Sequence, residues 1–218
     1  YTASTVGEQA FTVPSIVPDI LPDTPSGVSG KINLAKITEG AVAFDGSGDY
    51  LSIPGDTDLQ MGTGDFTIEC YFNVNGAEPT SCWRGIISLG GYQTAGGITI
   101  YAPRADTPRD TVVVILNTAN PTMGSTINVK HGWHHVALVR NSGTTKLYVD
   151  GIEQSSISDT NDYNYSGTVY IGRDADCGST FYEGFISNVR IIKGTALYTS
   201  NFTPPTEPLT EVTNTKLL

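Results

Sequence analysis

Three histidines, the only ones in the chain, lie within a five-residue stretch at His131, His134 and His135. Imidazole is a common metal ligand, and on a helix this spacing would place all three side chains on one face. The surrounding sequence, WHHVALVR, is typical of a strand, where successive side chains point to opposite faces. His134 and His135 therefore cannot bind one ion without a bulge. We predict that both are structural, one hydrogen-bonded under a sheet and the other partly exposed.

Motifs for covalent or acid–base catalysis are missing. The nucleophile-elbow pattern G-x-S-x-G does not occur. Glycoside hydrolysis requires two carboxyl groups that face each other across a cleft, and the pattern Glu-x-Asp-x-x-Glu is also missing. Glu69 lies in a strand-like segment but has no acidic partner at positions 67 or 71. The sequence therefore predicts a protein that is not an enzyme.

The chain is acidic, with 12 Lys and Arg against 22 Asp and Glu and a formal charge of −10 over 218 residues. Such a surface repels phosphate backbones, which argues against nucleic-acid binding, and it suits cation binding. No apolar run approaches the roughly 20 residues that a membrane-spanning helix needs, so we predict no membrane insertion. The first residues, YTASTVGEQAF, lack the basic and apolar regions of a signal peptide.

The elements that would position any site are strands. In DFTIECYFNV, the apolar residues Phe66, Ile68, Cys70 and Phe72 alternate with polar ones. NSGT reads as a hairpin turn, and Asp150-Gly151 is a strong type I′ turn signal. We count about eleven to thirteen short strands and no convincing helix, with one short helical turn considered for residues 193–201. Strands at this spacing, joined by Gly-rich turns, predict an all-β antiparallel sandwich or jelly roll.

The two ends differ from this pattern. Residues 1–30 contain Pro14, Pro18, Pro22 and Pro25, which disfavour both helix and central strand. Apolar residues between the prolines favour burial, so an extended arm against a neighbouring subunit and a flexible linker are both open interpretations. Residues 31–210 form the predicted jelly-roll domain, and residues 211–218 form a C-terminal tail. The Pro-rich stretch FTPPTEPLTEV is expected to run extended over the surface or into a following segment.

The chain has three cysteines, an odd number that argues against a pure disulfide framework. Cys70 is in phase with the apolar residues of its strand, so we interpret it as a buried apolar filler. Cys82 and Cys177 lie in loop-like sequence, where a disulfide between them and two free thiols are both open.

Several segments occur in an order that resembles a known family. These are FDGSGDYLSIPG, GTGDFTIECYF, GWHHVALVRNSGTTKLYVDG, VYIGRD and GFISNVRIIKGTALYTSNFTPPTEPLT. Together they resemble the laminin G-like, concanavalin A-like jelly-roll domains over about residues 41–210. The segment KGTALYTSNFTPPT looks especially like the versions found in structural proteins of marine tailed phages, including cyanophages.

The resemblance implies two curved antiparallel sheets in which the WHHVA strand and the LYVDG hairpin are scaffold. Many relatives hold a calcium ion through carbonyls near an F-D-G turn and a carboxylate in a late strand. The matching residues are Asp45 and Gly46 in the turn and Asn188 in the strand, where Asp is common. An amide oxygen can still bind calcium, though more weakly than a carboxylate. The alternative for Asp45 and Asp49 is turn formation alone.

Many relatives also bind glycans or protein ligands through rim loops or the concave sheet. Aromatic rings stack on sugars, and nearby acids or amides accept hydrogen bonds from hydroxyl groups. An alternative is that these rings pack on one another or on a neighbouring subunit. The candidate ligand-binding residues are Trp83, Arg84, Tyr163, Tyr165, Asp174, Asp176 and Tyr182.

The resemblance thus implies a non-enzymatic structural protein at the particle surface of a tailed-phage virion. Its role would be that of a capsid decoration protein, a head fibre or a tail-fibre module, joined to other virion proteins through the N-terminal arm. The alternative is a calcium-assisted carbohydrate-binding adhesin that recognises host-surface glycans. A homo-oligomer, such as a trimer on a fibre, is compatible with the adhesin.

Overall fold

The structure, a computed structural model, describes residues 40–75, 83–92, 94–103, 110–118, 122–176, 178 and 180–218. These residues form thirteen strands and one short 3-10 helix, Thr57–Leu59. None of the described segments is a helix of the length and apolar character needed to cross a membrane. Residues 194–201 form bends and not the helical turn considered from the sequence. The strands are β1 Val42–Asp45, β2 Leu51–Ile53, β3 Phe66–Val74, β4 Gly85–Leu89, β5 Ile98–Tyr101, β6 Val113–Leu116, β7 Thr122–Gly124, β8 Trp133–Asn141, β9 Thr144–Val149, β10 Ile152–Ser158, β11 Val169–Ile171, β12 Glu183–Lys193 and β13 Thr215–Leu217.

The strands form two antiparallel sheets. The seven-stranded sheet has the order β1-β12-β3-β8-β9-β10, and β13 pairs with β12 on the edge that β1 occupies, beyond the end of the β1 ladder. The six-stranded sheet has the order β2-β11-β4-β5-β6-β7. One large apolar core, with residues from both sheets, lies between them. This architecture confirms the predicted β-sandwich. The tail assigned to residues 211–218 contributes β13 to the sheet, where Leu217 packs against the core.

Strand β3 shows that the middle of the seven-stranded sheet is covered on both faces. Phe66, Ile68 and Phe72 enter the core between the sheets, as the alternation predicts. Cys70 joins them as the predicted apolar filler, and burial raises the pKa of its thiol. All nine residues of β3 are buried, so the outer face of the strand is shielded from solvent as well.

The cover of that outer face is residues 194–210, called the C-terminal strap below. Phe202 and Tyr198 stack on each other with ring centroids 3.6 Å apart, and they pack with Ala196 against Ala137, Val139 and Tyr148. The strap is also hydrogen-bonded to the sheet, since the Tyr71 hydroxyl donates to the carbonyl of Pro205. It runs across the sheet as the extended tail predicted from its prolines, and it forms a second, smaller apolar cluster.

Strands β8, β9 and β10 form a meander through the two turns predicted from the sequence. The β8–β9 turn has φ of 50° at Ser142 and 79° at Gly143. The β9–β10 turn has φ of 51° at Asp150 and 79° at Gly151. Positive φ at both central residues is the signature of a type I′ turn, which confirms the prediction for Asp150-Gly151.

Candidate functional site

The histidine pair is structural and is divided between two faces, as predicted. The Nδ1 of His134 is 2.7 Å from Asp150 Oδ2, in the turn that follows β9. The Nε2 of His135 is 3.0 Å from Glu69 Oε2, on the buried face under the strap. Within the described residues, no group of three or more His, Cys, Asp or Glu side chains could hold a metal ion.

Glu69 is the centre of a buried polar cluster. Arg190 Nη2 donates to its Oε1 at 2.8 Å, and the Tyr198 hydroxyl of the strap donates to its Oε2 at 3.0 Å. Burial alone would raise the pKa of Glu69, but the hydrogen bonds and charges of His135 and Arg190 outweigh it and lower that pKa. The carboxylate is thus held ionised beneath the strap.

Two of the predicted ligand-binding tyrosines are core residues, so their assignment to rim loops is wrong. Tyr163 is 1% exposed; its hydroxyl donates to Asp159 Oδ2 at 2.8 Å, and its ring packs edge-on against Phe66. Tyr182 is 0% exposed and packs edge-on against Phe44. Their rings therefore present no face to a ligand. The loop-like sequence around them, rich in Asn, Asp and Gly, concealed their burial.

Arg84, a third predicted residue, is also structural. It is buried, its Nη2 forms an ion pair with Glu183 Oε2 at 3.2 Å, and its Nη1 donates to the carbonyl of Asn75 at 3.0 Å. Because its terminal nitrogens are engaged by these partners, Arg84 serves the scaffold.

The predicted calcium ligands do not come together. Asp45 pairs with Glu183 in the ladder between β1 and β12, whereas Asn188 lies five positions further along β12, roughly 16 Å away. Asp45 Oδ1 accepts a hydrogen bond from Ser47 N at 2.7 Å, and Asn188 Oδ1 accepts one from Leu209 N at 3.1 Å. Asp45 therefore closes the Gly46 turn, as in the alternative, and Asn188 fixes the end of the strap.

Trp83, Asp174 and Asp176 do gather in one place, around Tyr101 of β5. The Tyr101 hydroxyl donates to Asp174 Oδ2 at 3.2 Å, and the Trp83 ring lies 5.4 Å from the Tyr101 ring. Asp176 accepts a hydrogen bond from the Thr94 hydroxyl at 3.2 Å. Burial raises the pKa of Asp174, although its hydrogen bonds partly offset that effect. These contacts hold the segment after β11 on the outer face of the six-stranded sheet.

Tyr165 is half-buried near the same face. Its pKa is raised by burial and by the nearby Tyr170 and Asp176. Cys82 and Cys177 lie outside the described residues, as does the N-terminal arm, so the disulfide and the arm stay predictions.

The outer face of the six-stranded sheet also carries a cluster that sequence reasoning missed. This cluster, called the aromatic–arginine surface below, consists of Tyr50, Tyr170, Arg173 and Phe181. The Tyr50 ring packs against the rings of Tyr170 and Phe181, and the Arg173 guanidinium lies near all three rings. The Arg173 Cζ is 4.9 Å from the Tyr50 ring centroid and 5.0 Å from that of Tyr170. Tyr50 is 41% exposed and the other three residues are partly exposed. The surface combines partly exposed aromatic side chains with a cation.

Strand phase explains how these residues meet. Val169 and Ile171 of β11 pack in the core, so Tyr170 between them must point outward. Tyr170 is paired with Ser52 of β2, and Tyr50 lies two residues before Ser52 on the same face. An isolated bridge between Arg173 and Phe181 brings those two residues side by side. The alternation in VYI was therefore a signal from which an outward aromatic could have been predicted.

Residues 45–197 match a laminin G family model described as the concanavalin A-like lectin/glucanases superfamily. The match spans well over half of the chain, which therefore belongs to this family, and it confirms the resemblance to laminin G-like, concanavalin A-like domains. A comparison with curated protein sequences finds no significant match.

Solved structures share the fold at low identity. A heptameric SAP-like pentraxin from Limulus polyphemus superposes with a TM-score of 0.52 at 17% identity, covering 73% of this chain and 77% of the pentraxin. A putative carbohydrate binding protein from Bacteroides ovatus superposes with a TM-score of 0.52 at 21% identity. The superposition covers 72% of this chain but only 45% of the Bacteroides protein. Domain 4 of an extracellular arabinanase from Geobacillus stearothermophilus, in complex with arabinotriose, superposes with a TM-score of 0.53 at 16% identity. The superposition covers 74% of this chain and 75% of the arabinanase domain.

Proposed function

We propose that this chain is a non-enzymatic attachment module at the surface of a tailed-phage virion, and that it binds saccharides through the aromatic–arginine surface. The observation that carries the binding part is the exposed ring of Tyr50 beside Tyr170 and Arg173. Aromatic faces stack on the C–H faces of sugars, and a guanidinium donates hydrogen bonds to sugar oxygens.

The fold supports saccharide binding as a class of activity. The chain belongs to a lectin and glucanase superfamily, and one solved structure with this fold is in complex with arabinotriose. Carbohydrate sites combine aromatic side chains with a few convergent polar groups, and the aromatic–arginine surface has this composition.

The environment of Glu69 supports a non-enzymatic role. A glycosidase needs one carboxyl group as a general acid and another as a base or nucleophile, and both must reach the glycosidic bond. Glu69, the strand acid considered from the sequence, is fully buried and paired with Arg190 and His135. Its carboxylate is therefore committed to the scaffold.

The virion part of the proposal is supported by the segment KGTALYTSNFTPPT, which resembles those of marine-phage structural proteins. This segment spans the end of β12 and the first part of the strap. The apolar, Pro-rich arm at residues 1–30 supports attachment to other virion proteins, since an extended segment can add to an exposed sheet edge or groove. Detection of the chain by mass spectrometry in purified virions tests this part, and its consistent absence from intact particles would contradict it.

Binding to immobilised polysaccharides, both neutral and anionic, tests the saccharide part. We expect Tyr50→Ala and Tyr170→Ala each to weaken binding about tenfold or more, because covering an aromatic side chain contributes about 1.5–3 kcal/mol. Tyr92→Ala is the matched control, since Tyr92 is 47% exposed and lies outside the cluster. If the folded wild-type protein binds no polysaccharide, or if all three variants bind equally well, the assignment is wrong.

A further inference from the structure

We propose that the ligand of the aromatic–arginine surface is an acidic saccharide whose carboxylate binds the terminal nitrogens of Arg173. The inference rests on the proposed function and adds the chemical class of the ligand. Its starting point is a difference between Arg173 and the other arginines that the structure describes.

Those other arginines each have a carboxylate partner. Arg190 donates to Glu69 at 2.8 Å, and Arg84 lies 3.2 Å from Glu183. Arg140 is fully buried, 3.7 Å from Asp159, and its three nitrogens donate to the carbonyls of residues 62, 64 and 161. Three of the four arginines that the structure describes thus have their charge balanced by a carboxylate.

Arg173 is the exception. Within the described part of the chain, no carboxylate lies within ion-pair distance of its guanidinium, and its side chain makes no hydrogen bond. The adjacent acid, Asp174, directs its carboxylate to the Tyr101 hydroxyl instead. In a chain of formal charge −10, a partly exposed arginine with no acidic partner is available to an external anion.

The terminal nitrogens of Arg173, which would bind a carboxylate, are the part of the side chain that is left free. The Nε of Arg173 is buried and has no hydrogen-bond partner among the described residues, whereas the two terminal nitrogens are not buried in this way. Since those nitrogens make no protein hydrogen bond, they reach solvent. The Tyr50, Tyr170 and Phe181 rings lie within 5.9 Å of the guanidinium carbon and restrict its movement. A guanidinium held in this way presents a planar fork that matches a carboxylate.

The adjoining rings indicate that the anion belongs to a sugar. Tyr50 is the most exposed of the three aromatic residues and borders the guanidinium, so one ligand can place a ring face on Tyr50 and a charged substituent on Arg173. A uronic acid has this combination of an apolar C–H face and a carboxylate. A sulfated sugar offers the same face with a different anion, so the experiment must separate the two.

The test measures binding of four probes by calorimetry: alginate oligosaccharide, its carboxyl-reduced neutral form, dextran sulfate and neutral dextran. We expect alginate to bind at least about tenfold more tightly than its reduced form, because hydrogen bonds to a charged group contribute about 1.5–3 kcal/mol. Arg173→Gln should lower alginate affinity by at least the same factor and lower affinity for the reduced form by much less, so that the preference for alginate is lost. Arg173→Lys keeps the charge but lacks the fork, and it should recover only part of the loss.

Lys216→Gln is the control, because it removes one positive charge from β13 of the other sheet. Equal affinity for alginate and its reduced form, or alginate binding insensitive to Arg173→Gln, would overturn the inference while leaving the proposed function intact. Preference for dextran sulfate over alginate would overturn the choice of a carboxylate. No binding of any probe by folded protein would overturn both.

Discussion

At the scale of single residues, Glu69 shows how a charge can be kept in the interior of a sandwich. Removing a carboxylate from water is costly, and the cost is recovered only where partners satisfy its oxygens. Arg190, His135 and Tyr198 provide those partners, from the sheet and from the strap. The cluster therefore links the stability of the strap to the ionisation of one buried group.

We predict that Glu69→Gln lowers the free energy of unfolding by about 3–5 kcal/mol at neutral pH, because Arg190 is left as an uncompensated buried charge. Urea unfolding followed by tryptophan fluorescence measures the loss. Glu207→Gln, which changes an exposed acid of the strap, is the matched control and should have little effect.

The same variant should change the pH dependence of stability. The pKa of Glu69 is lower in the folded chain than its ordinary value of 4.5, so its stabilisation is complete above about pH 4.5. It is lost as the pH falls through the folded-state pKa, since the protonated carboxyl no longer balances Arg190. The gap between wild type and Glu69→Gln should therefore narrow on acidification below pH 4.5. A gap that stays constant would contradict this role.

At the scale of elements, the strap depends on a close backbone approach at the β9–β10 turn. Phe202 N donates to the carbonyl of Gly151 at 2.9 Å. A Cβ atom at position 151 would lie only 1.9 Å from the carbonyl oxygen of Phe202. Glycine is thus required there for two reasons, the positive φ of the turn and the space that the strap occupies.

Gly143 separates the two reasons, because it has the same φ of 79° and its added Cβ would meet nothing closer than 3.9 Å. We predict that Gly143→Ala costs about 1–2 kcal/mol of stability from backbone strain. Gly151→Ala should cost a further 1–3 kcal/mol from the clash and should expose the strap to proteolysis. Denaturation curves and limited proteolysis measure both effects, and equal losses would show that the strap does not depend on Gly151.

The two-residue period of apolar side chains and the residues typical of tight turns made the sandwich predictable from the sequence. The alternation of side chains in a strand such as β3 or β11 and the Asp150-Gly151 turn signal are local properties of the sequence. They were sufficient to predict the strands, the hairpin and the division of the two histidines between faces. The contacts of Tyr163, Tyr182 and Arg84 are non-local, and nothing in the loop-like sequence around them indicates burial. The distance between Asp45 and Asn188 follows from the register of β1 on β12, which only the assembled sheet defines.

At the scale of the whole molecule, the two sheets have different outer faces. The strap covers the central strands of the seven-stranded sheet, whereas the six-stranded sheet carries the exposed Tyr50 and Arg173, which has no acidic partner among the described residues. This asymmetry leaves the outer face of the six-stranded sheet open for the saccharide binding that we propose. It also separates that role from the proposed anchoring role of the N-terminal arm.

We predict that deletion of residues 1–30 abolishes association with virions and leaves the melting temperature of the sandwich and its polysaccharide binding unchanged. Co-sedimentation with particles that lack the protein measures association, and calorimetry measures the other two. Full association of the truncated chain would contradict the anchor, and loss of folding would show that the arm belongs to the domain.

The position of the bound saccharide tests the central claim most directly. Backbone amide shifts in NMR spectra, recorded during titration with alginate oligosaccharide, would locate the contact on the folded chain. We predict the largest changes at residues 50–53, 169–173 and 181, on the outer face of the six-stranded sheet, and none at residues 194–210. Changes centred on the strap or on the Gly46 turn, with the aromatic–arginine surface unperturbed, would contradict the account.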